Sequence, residues 1–388
     1  MGAFKKRIEH YLKHNVVFGS VFRFSVNCVF RFLRIFYPIK KNTILFTALG
    51  KGYNDSPRAI YEKIISDNRF ADFTFYWGVD DVNAHIPGNP MKIKIDSWKY
   101  FKTAFKCQYW IACVNIERSF RFKKRKQIYL NTDHGVPIKK FGNQVKGRKD
   151  FNFKHINYFC VSGEFEANMY PDAYSLNPAN IIRTGLPRND ELYSISKSEI
   201  CTIRETLNLT NKRIILYAPT WRDSSDAGKT FQLKPPIDFK KWERCLGNKY
   251  VVLLRTHPYT TKLLGVDFNG FVQDFSTYPK VNDLIKVADI LISDYSAIIF
   301  DYAITEKPML CFAYDYEEYA SSRGLVIDLK KEFPCGIVEK EDDLLNRILS
   351  MDYEKMIKEV KDFKTKYIEY GGNASSMCID SLLRKTKI

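Results

Sequence analysis

Several short signatures that would point directly to a function are missing from this chain of 388 residues. None of the nine cysteines belongs to a CxxC pair, which argues against a structural zinc site. A Walker loop and a dinucleotide-binding glycine fingerprint are also missing, which argues against P-loop ATPases and NAD-dependent enzymes. No secretory signal is visible near the start, and scattered cysteines in apolar runs are typical of buried thiols in a reducing compartment. We therefore expect a cytosolic location.

Acidic residues are outnumbered in the composition. The chain has 44 Asp and Glu against 61 Lys and Arg, which gives a formal net charge of +17. This surplus favours polyanionic partners: nucleic acid, an anionic lipid surface or a phosphorylated substrate. The aromatic signature of an RNA-recognition motif is missing, so we expect no nucleic-acid partner. Hydrophobic residues make up 45% of the chain, which excludes intrinsic disorder as the main state, and the length predicts two domains.

Negative charge is nearly missing from the first 41 residues, where nine Lys and Arg accompany one acid, Glu9. At 100° per residue, the polar side chains fall in one narrow stripe of an otherwise apolar surface: Lys13, Ser20, Arg23, Asn27, Arg31 and Arg34. The pattern predicts an amphipathic helix on an anionic membrane surface, with its arginines reaching lipid headgroups. The alternatives are a helix packed on the protein with solvated arginines, and a true membrane span.

From residue 42 onward, short apolar runs alternate with amphipathic stretches. The runs predict strands at 43–48, 73–79, 108–113, 127–131, 158–162, 180–184, 213–218, 250–255, 271–274, 289–293, 308–312 and 336–338. Helical patterns lie between them, for example at 56–65, 97–105, 281–287 and 297–304. Many runs are continuous rather than alternating, which is typical of parallel strands covered on both faces. The order therefore predicts an α/β fold with doubly wound parallel sheets.

The polar stretch 194–211 is the predicted linker between two α/β units. It divides the chain into a basic N-terminal segment (1–41), a first domain (42–195) and a second domain (205–388). Ligands of open α/β sheets bind at the carboxyl ends of strands, so the cleft between two such domains is the expected binding site.

The segment after the predicted strand 127–131 carries side chains suited to catalysis. Asp133 and His134 come directly before a Gly/Pro turn, and Lys139 follows it. This order favours His134 as a general base beside a phosphate-binding lysine. A histidine that only forms hydrogen bonds within its turn is the alternative.

Four further segments end predicted strands with charged or hydroxyl side chains. They contribute Arg188 and Asp190, Thr220 and Arg222, Arg255 and His257, and Ser293, Asp294 and Ser296. The guanidinium of arginine can donate two hydrogen bonds to phosphate oxygens. Residues two positions apart face the same side of a strand. These side chains are therefore predicted to bind an anionic ligand. The structural alternatives are a helix cap at Asp190, N-capping by Ser293 or Asp294, and an arginine stacked on an aromatic ring.

The ordered set of motifs resembles the CDP-glycerol glycerophosphotransferase family of teichoic-acid and capsule synthesis. The matching segments span residues 43 to 344: 52–55 with Pro57, 134–139, 184–190, 217–222, 255–258, 293–296, 300–302, 307–308, 314–315, 318–319 and 323–324. The resemblance implies a GT-B fold with two facing Rossmann-like domains, a membrane-associated N-terminus and a cytidine nucleotide held mainly by the second domain. It also implies that Asp301, Glu318 and Arg323 bind the nucleotide or shape its site.

The implied reaction is attack of an acceptor hydroxyl on the β-phosphorus of a CDP-polyol, with release of CMP. The expected catalytic residues are His134, His257 and Asp133. The family usually has tryptophan where this chain has Asp133, and a carboxylate there would orient His134 or raise its pKa. The groups implied to stabilise the diphosphate are Arg222, Arg255, His257 and the helix start at Ser296. GT-B enzymes generally use no metal, so we expect neither a metal nor another cofactor.

Glycerol phosphate is the favoured group for transfer, with ribitol phosphate as the alternative. The expected acceptor is a lipid-linked or glycan hydroxyl at the cytoplasmic face of the membrane, to which the enzyme would bind peripherally. Three other hypotheses stay open: a GT-B sugar transferase that uses a nucleotide sugar, a nucleic-acid-binding protein, and a non-catalytic scaffold of a wall-polymer complex.

Overall fold

The structure is a computed structural model that describes residues 16–118, 120–209, 211–220, 236–256 and 266–384. The first part of the chain forms a parallel sheet from β1 (Lys40–Thr47), β2 (Thr74–Val79), β3 (Met91–Lys94), β4 (Cys107–Ala112), β5 (Ile128–Asn131), β6 (Tyr158–Val161) and β7 (Ile181–Arg183). Its strand order is β3-β2-β1-β4-β5-β6-β7. Alternate residues of β1 face opposite sides of the sheet: Ile44 and Phe46 belong to one apolar cluster and Leu45 to another. Both faces of this sheet are therefore covered.

The second part of the chain forms another parallel sheet, from β8 (Arg213–Ala218), β9 (Tyr250–Leu254), β10 (Val272–Asp274), β11 (Ile290–Ser293), β12 (Met309–Phe312) and β13 (Ile337–Val338). Its order is β10-β9-β8-β11-β12-β13. Every residue of β9 and β11 is buried, which explains their continuous apolar sequences. The predicted α/β fold with parallel sheets and its predicted strands are confirmed. The strand β3 was missed because it is short and mostly uncovered.

Most helices lie between strands, as the patterns predicted. Their bounds are α1 Val16–Leu33, α2 Asp55–Ile64, α3 Trp98–Lys106, α4 Glu164–Tyr174, α5 Lys197–Thr206, α6 Phe239–Leu246, α7 Val281–Val287, α8 Ile298–Ala303, α9 Tyr316–Arg323, α10 Leu329–Glu332, α11 Glu341–Leu349, α12 Tyr353–Tyr367 and α13 Ala374–Arg384. The exceptions are α1, which precedes β1, and α11 to α13, which follow β13. The helix α2 packs on one face of the first sheet and α3 on the other.

The connection between the two sheets is more ordered than its polar sequence suggested. The stretch 194–211 contains α5, whose first turn is capped by the Ser196 hydroxyl, which accepts the Glu199 N–H at 3.1 Å. After the second sheet the chain returns, because Cys378, Ile379 and Leu382 of α13 join the apolar cluster of the first sheet. The boundaries 1–41, 42–195 and 205–388 stay a prediction.

The C-terminal part of the polar stripe, on α1 and the turn after it, faces the protein. Arg34 donates to two backbone carbonyls of the loop 121–123, at 3.0 and 2.7 Å, and Arg31 donates to a third at 3.3 Å. The side chain of Asn27 accepts a backbone N–H of the same loop at 2.8 Å. For Arg31 and Arg34 these contacts correct the prediction that they reach toward lipid headgroups; the side chains of Ser20 and Arg23 are not described. Lys13 lies outside the described residues.

The other side of this N-terminal element is apolar and exposed. Phe24, Phe32, Ile35 and Phe36 are between 61% and 71% exposed, whereas Phe30 packs among aromatic rings of the first unit. Among the described helices, none is both long and apolar enough to cross a membrane.

Candidate active site

A cavity of about 500 Å³ lies between the two sheets, beyond the carboxyl ends of their strands. One wall follows β5, and the opposite wall follows β8, β9 and β11. Residues predicted for the site that line this cavity are Asp133, His134, Lys139, Thr220, Arg255 and Ser296. The two parts of the chain thus bring together side chains that are more than 80 positions apart in the sequence. Parallel strands that end at one edge explain this convergence.

The pair formed by Asp133 and His134 is the chemically most distinctive feature of the first wall. A single carboxylate oxygen of Asp133 lies 2.8 Å from His134 Nδ1 and accepts the His134 backbone N–H at 2.8 Å. The backbone at Asp133 is left-handed, with φ of 50°, and its N–H donates to the Asn131 side chain at 2.8 Å. This tight turn fixes the carboxylate against the ring. With Nδ1 as the donor, Nε2 of the neutral ring is left as a proton acceptor.

The environment of this pair favours a basic histidine. The Asp133 side chain is 8% exposed, whereas that of His134 is 49% exposed and opens to the cavity. The charge of Asp133 and its hydrogen bond raise the pKa of His134 above its usual value, against the opposing effect of burial. The predicted influence of Asp133 on His134 therefore has a geometric basis. A solvent-accessible imidazole with a raised pKa suits general-base catalysis.

Arg255 provides positive charge on the second wall. Its Nη1 donates to the backbone carbonyls of Phe275 and Tyr278 at 3.0 and 2.7 Å, and its backbone N–H donates to Tyr217 at 2.9 Å. These bonds hold the guanidinium at the end of β9, beside the cavity. A guanidinium held in this way is preorganised to meet phosphate oxygens. The predicted partners His257 and Arg222 lie outside the described residues.

The turn after β11 builds the second wall through buried side chains. The Ser293 hydroxyl is fully buried and donates to the Ala218 carbonyl at 2.6 Å. One oxygen of Asp294 accepts the N–H groups of Thr220 and Tyr295, both at 2.7 Å. Ser293 and Asp294 thus position the residues around them, which favours a structural role over the predicted direct contact with substrate. Ser296 is half-buried at the cavity surface.

The predicted ligand residues Arg188, Asp190 and Asp301 have protein partners. Arg188 forms ion pairs with Asp55 at 3.1 Å and with Asp301 at 2.9 Å. Asp190 accepts the backbone N–H groups of Ala374 and Ser375 at 2.7 and 2.8 Å, so it caps the first turn of α13. The helix-cap alternative for Asp190 is therefore the one that the contacts favour, although the capped helix lies far away in sequence.

The remaining predicted residues differ in their distance from the cavity. Lys139 lines it, and its Nζ lies 5.4 Å from the centre of the Tyr319 ring. Glu318 and Arg323 lie on exposed positions of α9 and do not appear among the lining residues. Within the part of the chain that the structure describes, no group of three His, Cys, Asp or Glu side chains is arranged to hold a metal ion.

Sequence reasoning missed several residues of the site. Tyr174 and Tyr295 line the cavity, and the Tyr295 ring stacks on Tyr319 with centroids 3.8 Å apart. Tyr295 lies inside the motif 293–296, although it was not among the predicted ligand residues. Tyr174 lies on α4 without any local motif, because only the fold brings it beside Asp133. Burial and the charge of Asp133 raise the pKa of Tyr174 well above its usual value.

Comparisons with known proteins show the family of the chain. The model of the CDP-glycerol:poly(glycerophosphate) glycerophosphotransferase family matches residues 29–383. A teichoic acid glycerol-phosphate transferase of Staphylococcus aureus is 30% identical, over 80% of this chain and 84% of its own length. A teichoic acid poly(glycerol phosphate) polymerase of Staphylococcus epidermidis is 28% identical over 89% of this chain, which spans about half (51%) of that relative.

A solved structure extends the likeness to three dimensions. A variant of the wall teichoic acid polymerase TagF, soaked with CDPG, superimposes with a TM-score of 0.81 at 27% identity, and the match covers 95% of this chain and 97% of that one. The resemblance that the ordered motifs carried is thus confirmed. The chain belongs to the CDP-glycerol:poly(glycerophosphate) glycerophosphotransferase family.

Proposed function

We propose that this enzyme transfers glycerol phosphate from CDP-glycerol to a hydroxyl of a membrane-linked acceptor, in the synthesis of a teichoic-acid-like or capsular polymer, and releases CMP. Family membership and the likeness to a polymerase soaked with CDPG support the donor. The observation that carries the proposal is the cavity between the sheets, where the His134–Asp133 pair lies on one wall and Arg255 on the other. This is an arrangement of a proton acceptor and an anion-binding group around one space.

The reaction needs positioning and charge neutralisation rather than a covalent intermediate. The oxygen of the acceptor hydroxyl attacks the β-phosphorus of CDP-glycerol. At the same time, Nε2 of His134 accepts the proton of that hydroxyl. The bond from that phosphorus to the oxygen bridging to CMP breaks, and CMP leaves with the bridging oxygen. Arg255 and Lys139 neutralise the diphosphate, and His257 and Arg222 remain proposed for the same task. Ser296 is proposed to contact the donor from the second wall.

Product analysis tests the function directly. The purified chain is incubated with a synthetic lipid-linked acceptor and with CDP-glycerol, CDP-ribitol or a UDP-sugar, and products are identified by mass spectrometry. We expect the acceptor to gain the mass of glycerol phosphate, with CMP as the second product. Transfer only from CDP-ribitol would favour the ribitol alternative, and transfer of a sugar would overturn the proposal.

We further propose that the enzyme binds peripherally to the cytoplasmic face of the membrane through the apolar side of α1 and the turn after it. Phe24, Phe32, Ile35 and Phe36 present this surface, and Trp98 beside it is 45% exposed. The exposed lysines 40, 41, 99 and 106 lie along the same part of the first unit, where they would meet anionic headgroups. The rings thus enter the interface while Arg31 and Arg34 hold the helix to the protein.

Vesicle sedimentation tests this orientation. We expect the double variant Phe24→Asp/Ile35→Asp to lose most of its binding to vesicles that contain anionic lipid, because charge on the inserting face opposes entry. The matched control is Phe268→Asp/Leu349→Asp, which places the same two charges on exposed apolar residues of the second unit. Equal sedimentation of the double variant and the control would contradict the proposal, as would a dimer that forms through this face in analytical ultracentrifugation.

A further inference from the structure

We propose that Arg188 is a positioning residue of the transfer reaction, which fixes the turn that carries His134 against the second unit and does not bind the donor phosphates. The inference rests on the proposed role of His134 as the base. Its basis is the buried group of charges beside the cavity that Arg188 forms with Asp55 and Asp301. The reaction proposed above assigns no role to this group.

The guanidinium of Arg188 joins three parts of the molecule. Nη1 lies 3.1 and 3.2 Å from the two carboxylate oxygens of Asp55 and donates to the His134 backbone carbonyl at 2.8 Å. Nη2 lies 3.1 and 2.9 Å from the two oxygens of Asp301. Asp55 begins α2 of the first unit, and Asp301 lies on α8 of the second. One side chain therefore contacts both units and the backbone of the catalytic turn.

Further contacts hold the segment that carries Arg188. The Asn189 side chain donates to Asp301, and Asn282 of α7 donates to the Arg188 carbonyl at 2.7 Å. The Arg188 backbone N–H donates to the Ser56 hydroxyl at 3.3 Å. The second unit thus contacts this segment from two helices. Because Arg188 is held at both its guanidinium and its backbone, a shift of the second unit would also move the turn that carries His134.

The catalytic turn has little freedom beside this group. A β-carbon on Gly135 would lie 3.0 Å from the Ala297 β-carbon and 3.3 Å from Arg188 Nη2, and Gly135 has φ of 141°. The residue after His134 is therefore wedged between Arg188 and the second wall, and only glycine allows this approach. Since a displacement of about 1 Å can cost about 100-fold in rate, this contact controls whether His134 reaches the acceptor hydroxyl.

The charge balance argues against phosphate binding by Arg188. Both terminal nitrogens of the guanidinium already face carboxylate oxygens, and the side chains of Arg188, Asp55 and Asp301 are between 9% and 12% exposed. Burial alone would lower the pKa of Arg188, but the charges of Asp301 and Asp55 raise it by more. A phosphate could reach these nitrogens only by displacing a carboxylate that already pairs with them. The buried group suits orientation instead.

Kinetics separate positioning from binding. We expect Arg188→Lys, which keeps the charge but loses the planar fork, and Arg188→Ala to lower kcat by about 30- to 100-fold while the Kd for CDP-glycerol changes less than threefold. Added guanidinium ion is expected to restore part of the kcat of Arg188→Ala and none of that of Arg188→Lys. The control is Arg183→Ala, an exposed arginine five positions earlier that pairs with Glu164 and should keep full activity. A Kd that weakens in proportion to the loss of kcat would overturn the proposal, as would an unchanged kcat.

A distance measurement tests the same idea without activity. Cys28 on α1 and Cys245 on α6 are exposed free thiols on the two units, and Cys201 is a further exposed thiol that is replaced by serine. Spin labels on the pair are expected to give a narrow distance distribution in the parent protein and a broader one in Asp301→Asn, a nearly isosteric variant chosen to stay folded. Identical distributions would overturn the proposal. If the parent protein transfers no glycerol phosphate, the proposed function fails, and this measurement still decides whether the charge group fixes the two units.

Discussion

Two charged groups lie side by side in this enzyme, and they differ mainly in how they meet solvent. In the His134–Asp133 pair one carboxylate faces one imidazole, and the imidazole is 49% exposed at the cavity. In the Arg188 group two carboxylates enclose one guanidinium that is 12% exposed. The imidazole of the first group is accessible to proton exchange at the cavity, whereas the second group has its donors engaged by protein. Exposure and charge balance therefore separate chemistry from positioning where residue type alone does not.

Removal of the His134 imidazole is expected to have the largest effect. We expect His134→Ala to lower kcat by about two to four orders of magnitude, because the acceptor hydroxyl loses its general base. Binding of CDP-glycerol, measured by calorimetry, should change little. The exposed His85 supplies the matched control, since His85→Ala removes an imidazole outside the site. If His134→Ala retained a tenth of the rate, His134 would not be the base.

Neutralising the Asp133 carboxylate tests how Asp133 acts on His134. We expect Asp133→Asn to lower kcat by about 10- to 100-fold, because the ring loses the acceptor that fixes its tautomer. The proposed base is the neutral imidazole, so activity is expected to rise with pH through the His134 pKa. Asp133 raises that pKa, so the rising limb of the pH–rate profile is expected at lower pH in the variant. A profile that did not move would show that Asp133 does not tune His134.

Another carboxylate, that of Glu166, lies behind Asp133 and is expected to affect the stability of the fold. Glu166 is fully buried, accepts the Tyr170 hydroxyl at 2.7 Å, and has its pKa raised by burial to about 7 from 4.5. Because the folded-state pKa lies above the unfolded one, the protonated acid stabilises the fold at low pH, and this stability is lost as pH rises through about 7. At pH 8 ionisation of this buried carboxylate lowers the free energy of unfolding by about 3 kcal/mol.

The variant Glu166→Gln removes that titration and keeps the shape of the side chain. We expect its Tm to exceed that of the parent at pH 8 and to differ little from it at pH 5. Thermal unfolding followed by circular dichroism at both pH values measures this. A variant that is equally destabilised at both pH values would contradict the account, because the hydrogen bonds of Glu166 and not its charge would then dominate.

Much of the fold could be predicted from local patterns. Continuous apolar runs such as Tyr250–Leu254 indicated buried parallel strands, and polar residues after them indicated the edge where ligands bind. The cavity residues His134, Arg255 and Ser296 were found in this way, since each follows a strand. A strand without such a run, Met91–Lys94, was missed.

Contacts between distant segments could not be predicted in the same way. Arg188 and Asp190 follow a strand just as Arg255 does, but their partners Asp301 and Ala374 lie more than 100 positions away. The stripe of α1 likewise could not indicate whether its arginines face lipid or backbone. In each case the sequence defines which groups are available for pairing, and the tertiary fold decides which partner uses them.

A crystal structure with CDP-glycerol bound tests the central claim most directly. The account predicts that the diphosphate lies in the cavity between the two sheets, with Arg255 on its oxygens, Nε2 of His134 facing the β-phosphorus and Arg188 still paired with Asp55 and Asp301. A nucleotide bound outside this cavity, or a phosphate held by Arg188, would contradict it.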